Sequence, residues 1–161
     1  MSIVKPFSTV FLQGVLFVLA LGVLFLMIYL PSIEGRAEGL SVFKIYSDPF
    51  ILYGYLLSLP FFVALYQAIQ LLVLIQRSEV FSLGAVKRLR NIKWCGYILA
   101  IGIIAAGVFI RVINPNDDSA GFIMLCLVCT LSSVVVGTAA GVFQKLLESA
   151  TEFKSENDYT I

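Results

Sequence analysis

Between Phe7 and Leu30 the only strongly polar side chain is Gln13. A helix of about 20 residues crosses the hydrocarbon core of a bilayer, so this run is long enough to span one. Its apolar part exceeds the roughly 7–15 residues of a signal-peptide core, and no Ala-x-Ala cleavage site follows, so it reads as a retained span. Three further runs, Pro49–Gln76, Trp94–Ile113 and Ser119–Phe143, have the same character. Only 13% of the chain is charged and 60% is hydrophobic, whereas soluble domains carry roughly 25% charge. Lipid must therefore be the solvent for much of the surface.

The charge that remains is concentrated mid-chain. The connector 77–93 holds Lys87, Arg88, Arg90 and Lys93. Ser82 has the chemistry of a helix N-cap. Leu83, Val86 and Leu89 follow helical spacing on one side, while Lys87 and Arg88 point elsewhere. The pattern predicts a short basic amphipathic helix between spans two and three that feeds directly into the third span, with Trp94 and Tyr97 at the headgroup level. With both termini and the connector on one side, that side holds Lys5, Arg77, Lys87, Arg88, Arg90, Lys93, Lys145 and Lys154, against Arg36, Lys44 and Arg111 on the other. The positive-inside rule then places both termini in the cytoplasm. The expected fold is all-α: one membrane domain, a bundle of four transmembrane helices at about 7–30, 49–76, 94–113 and 119–143, with a cytoplasmic tail over 144–161.

Polar residues within the spans are few. Gln67 and Gln70 lie one helical turn apart and share a face. With Gln13 they form an expected intramembrane polar face, since an amide in hydrocarbon needs a partner. Pro60 interrupts the second span. Ser133, Gly137 and Gly141 form a small-residue ridge that lets another helix approach closely, within the chain or in a homo-oligomer. Beyond Phe143 the helical spacing continues as an apolar stripe of Phe143, Leu146, Leu147, Ala150 and Phe153, with Lys145, Glu148, Glu152 and Lys154 off it. Leu40–Tyr46 is too short to span and suits the membrane interface.

The chemistry of these residues argues against an enzyme. Histidine is absent, which removes the usual proton shuttle and the commonest metal ligand. Cys126 and Cys129 form a CxxC, but no external cysteine pair exists to receive a disulfide, and buried cysteine packs as a small hydrophobe. No acidic or basic side chain falls mid-span, as coupled pumps require. No cofactor, metal or catalytic residue is expected. A net charge of +1 predicts no direct nucleic-acid binding. The basic connector suits anionic lipid, at roughly 1 kcal/mol per basic residue near the surface. The tail's Glu152, Glu156 and Asp158 lie on the same side as Lys87, Arg88, Arg90 and Lys93. They are expected to dock there or to hold a cytoplasmic protein, with Phe153 and Tyr159 as apolar anchors.

Two stretches, Val80–Trp94 and Val142–Ile161, together resemble an uncharacterised family of small bacterial membrane proteins, domain of unknown function 2975. Its members look like four-span proteins with a Phe-Ser…Lys/Arg-Leu-Arg connector and a Glu-Asn-Asp-Leu-Thr-Val/Ile ending. Here Tyr159 stands where leucine is usual. The resemblance carries no catalytic residue. It implies the bacterial cytoplasmic membrane and a setting beside a small helix-turn-helix regulator, a candidate cytoplasmic partner. The expected function is therefore regulation or tethering of such a partner. The alternative is a small channel or transporter for a neutral or amphiphilic solute.

Overall fold

The computed structural model describes residues 6–33, 49–113 and 120–158. It has four helices: α1 (Pro6–Ile33), α2 (Pro49–Gln76), α3 (Leu83–Ile113) and α4 (Ala120–Asp158). All four are long and apolar enough to cross a membrane. At 1.5 Å per residue α1 and α2 are about 42 Å long, α3 about 46 Å and α4 about 58 Å, against a hydrocarbon core of about 30 Å. The Leu40–Tyr46 stretch lies outside the described residues.

The basic connector does not form a helix of its own. Leu83–Lys93 makes the first three turns of α3, because no proline or other strong breaker separates it from the apolar run that follows. Its packed face also differs from the expected one. Leu83 is 78% exposed, while Ala85, Val86, Leu89 and Ile92 are buried. Leu83 lies two residues from Ala85, hence about 200° around the helix from it.

The non-helical link between α2 and α3 shrinks to Arg77–Ser82. The N–H of Glu79 donates to Leu74 O at 3.0 Å and that of Ser78 to Ile75 O at 3.1 Å. Ser78 has φ 61°. This is a Schellman ending, with serine at the left-handed position that usually takes glycine. Ser82 then caps α3: the Ala85 N–H donates to its Oγ at 3.3 Å, and its hydroxyl donates to Glu79 O at 2.7 Å.

Among the described residues the substantial helix contacts join sequence neighbours, α1 to α2, α2 to α3 and α3 to α4. The helices thus follow one another as an antiparallel row, closed in part by Phe50 of α2, whose ring meets that of Phe122 of α4 edge-on at 5.9 Å. Two tyrosines on α2 show why α2 has a neighbour on each side. The Tyr53 hydroxyl donates to Gly102 O of α3 at 2.8 Å. That of Tyr55, about 200° further around α2, donates to Met27 O of α1 at 2.9 Å.

The closest approach is between α3 and α4. A Cβ on Gly96 would lie 2.9 Å from Gly137 Cα and 3.0 Å from Ser133 O, so the two backbones touch. The small-residue ridge of α4 is used within the chain, against a glycine of α3. Toward the basic end of the row this contact widens into an apolar cluster. Leu89, Ile92 and Ala140 are buried there, with Ala68, Leu71 and Leu147 packed against them.

Candidate functional site

Among the described residues, a group of polar side chains comes together at that same end, where the start of α3 lies between α2 and the extension of α4. Arg88 is half-buried, and its Nη1 donates to Gln67 Oε1 at 2.8 Å. The antiparallel register sets this pair: Arg88 lies five residues into α3, and Gln67 nine residues before the end of α2. Hydrogen bonds to a charged group contribute roughly 1.5–3 kcal/mol, so one amide ties the two helices at this level. Gln13 and Gln70 are both half-buried.

On the other side of α3, Arg90 Nη2 meets Glu148 Oε1 at 3.3 Å. The same carboxylate oxygen accepts from Gln144 Nε2 at 2.9 Å. The Gln144 amide, then the Arg90 guanidinium, hold the Glu148 carboxyl below its ordinary range. Gln144 is buried, and its Oε1 has no hydrogen-bond partner among the described residues. Its desolvation therefore subtracts from what the neighbouring contacts contribute.

Lys93 reaches across α4. A Cβ on Gly141 would come within 3.0 Å of Lys93 Cδ, so glycine leaves room for the lysine stem. The ammonium sits 5.8 Å from the centre of the Trp94 ring, within cation–π range. Lys87 is exposed. These basic residues thus meet different groups: Arg88 meets Gln67 of α2, Arg90 meets Glu148 of α4, and Lys93 lies near the Trp94 ring of its own helix.

Phe153 is 71% exposed. Tyr159 and the side chains of Glu156 and Asp158 lie outside the described residues, so the expected docking of the tail on the connector falls there too. Among the described residues the acidic group that meets the connector is Glu148, which helical spacing alone places only off the apolar stripe. Gln144 was not singled out at all. The available signal was its spacing, four residues before Glu148 on one helical face. The cysteines are free, with Cys95 buried, Cys126 half-buried and Cys129 exposed.

The family profile described as "Protein of unknown function (DUF2975)" matches residues 32–161. The chain belongs to this family. It is also 35% identical over 156 residues to the "Uncharacterized membrane protein YoaS" of Bacillus subtilis (strain 168), covering 96% of this chain and 98% of that relative. No solved structure matches. The profile leaves most of α1 outside, while the Bacillus relative extends over nearly the whole chain. With four apolar helices of spanning length and a membrane protein as its relative, the chain is a multi-pass membrane protein in contact with the lipid bilayer.

Proposed function

We propose that this family member is a non-enzymatic protein of the bacterial cytoplasmic membrane, with both termini in the cytoplasm, that holds a cytoplasmic partner at the membrane. One observation carries the reading. α4 runs unbroken for 39 residues, about 58 Å, so up to roughly 18 of its residues exceed what the hydrocarbon core can hold. The excess lies at its C-terminal end, beside the charged first turns of α3.

On this reading those turns are a basic amphipathic stretch at the membrane surface. Phe81, Leu83 and Trp94, all exposed, meet the headgroup region, and Lys87 faces anionic lipid or a partner. Glu156, Asp158 and Tyr159 then meet the partner. Carboxylates there suit the basic surface that a small helix-turn-helix regulator presents to DNA, and occupation of that surface would keep the regulator off DNA. Exposed ion pairs contribute only about 0–1 kcal/mol each, which suits a reversible hold. The transport alternative has less support, because Gln67, a central member of its polar face, is engaged by Arg88.

The test is a photo-crosslinking residue at Tyr159 in living cells. Capture of a soluble DNA-binding protein supports tethering. Capture of only the chain's own Lys87–Lys93 segment, or of lipid alone, removes it. Loss of function on Gln67 or Gln70 substitution, with tail variants intact, would move transport to first place.

A further inference from the structure

A flank of α4, beside the face that meets α3, repeats every seven residues. One line runs from Cys129 through Val136 to Phe143, and a second, three residues on, from Ala139 through Leu146 to Phe153. All six are exposed. Ser132 and Ala150 fill the remaining places, and the Ser132 hydroxyl is satisfied within its own helix by Val128 O at 2.9 Å. Alternating steps of three and four residues, averaging 3.5, mark the seam of a left-handed coiled coil. The residues that meet α3, Gly137, Ala140, Gln144 and Glu148, fall on another side of the helix. The seam is therefore not used within the described chain.

Two solvents meet along this seam. From Cys129 to Ala139 it lies in the span, where lipid can cover it. On the topology proposed above Leu146 and Phe153 lie beyond the span, and Phe153 stands ten residues past Phe143, about 15 Å along the axis. Large apolar side chains aligned in water call for cover. Lipid cannot follow the helix that far, and a soluble protein cannot enter the span. A single occupant for the whole seam must be a membrane-spanning helix that projects equally far on the same side. α4 is itself such a helix, at 39 residues. α1 and α2 have 28 each, and the projecting part of α3 is already packed.

We propose that α4 pairs in parallel with α4 of a second copy, forming a two-fold coiled coil that runs from the span into the water beyond it. Both copies share one orientation in the membrane, so each seam residue faces its own counterpart. This rests on the reading that the end of α4 projects from the membrane, but not on the tethering of a partner. The basic turns of α3 and the residues beyond Phe153 stay outside the seam.

Cys129 supplies a native probe. In membranes from cells making the Cys95→Ala/Cys126→Ala chain, copper–phenanthroline oxidation should convert the 17.7 kDa band to one of twice that mass. A disulfide needs Cα atoms about 4.4–6.8 Å apart, which counterparts on the seam approach. With Cys129 replaced by Ala, a cysteine at Val136 or Leu146 should restore the doubled band. A cysteine at Thr138 or Lys145, both exposed but off the seam, should leave the chain monomeric. Crosslinking at every site alike, or at none on the seam, overturns the proposal. A photo-crosslinker at Leu146 that captures only soluble protein overturns it as well. Capture at Tyr159 is a separate readout, so the two proposals can fail independently.

Discussion

On the proposed topology, Leu89 and Leu127 carry the same side chain into two solvents. Leu89, on the first turns of α3, is 6% exposed, whereas Leu127, in the span of α4, is 55% exposed. The contrast extends to whole regions. At the basic end the buried residues include the large side chains Val86, Leu89 and Ile92, whereas further along α3 only Cys95, Gly96, Ala100 and Ala106 are buried, all small. α2 has no buried residue at all among those described. In water, removing apolar surface contributes about 25 cal/mol per Å², so large side chains are drawn inward. In lipid that drive vanishes, and helices associate through close backbone approach and hydrogen bonds. The basic end is built like a small soluble core, and the spans are held by fit.

Substitutions can break this comparison, the strongest first. Leu89→Ala should cost about 2–5 kcal/mol, while Leu127→Ala should stay within about 0.5 kcal/mol. Both are read by unfolding in mixed detergent micelles, and equal costs would end the distinction. Gly96→Leu should cost about 1–3 kcal/mol by forcing α3 from α4. Gly22 of α1 has nothing within 4 Å of a built Cβ, so Gly22→Leu should be nearly neutral in the same assay. A clear loss at Gly22 would show that α1 is held by tight fit too.

At the α2–α3 turn, Ser78→Gly should stabilise by about 1 kcal/mol, since left-handed backbone is costly for a residue with a Cβ. A Ser78→Gly chain that protects the turn no better from protease would show that the turn does not limit the basic end. The smallest effect concerns pH. Glu148 has a lowered pKa, through Gln144 first and then Arg90. Its contribution is present above the ordinary glutamate range and is lost as pH falls through the lowered value. Protection of the amides at the end of α4, measured against their intrinsic exchange at each pH, should therefore fall in acid, and Glu148→Gln should abolish that step. An unchanged step in the variant would assign it to another carboxylate.

Much of the architecture was legible because membrane spans depend on length and composition. The four runs, the Ser82 cap and the Ser133–Gly137–Gly141 ridge all read directly. Ser78 did not, because serine is not the usual residue at a left-handed helix end. Tyr53 and Tyr55 gave no sign of bonding to opposite neighbours, since either phenol also suits the interface. The basic turns run on into the third span without a break, because nothing after Lys93 stops the helix; helical spacing shows a face but not where a helix ends.

Which residues meet is a matter of register between helices, and loops whose conformation is unspecified leave register open. Gln67 opposite Arg88, Glu148 opposite Arg90 and Gly96 against Gly137 follow from two antiparallel pairings that no single helix encodes. The same pairings determine which face of α4 is left over. Periodicity within one helix shows an apolar stripe from Phe143 to Phe153. Only the packed molecule divides it, with Leu147 turned to the core of the basic end and Leu146 turned away, because a helix has several faces and its neighbour covers only some of them.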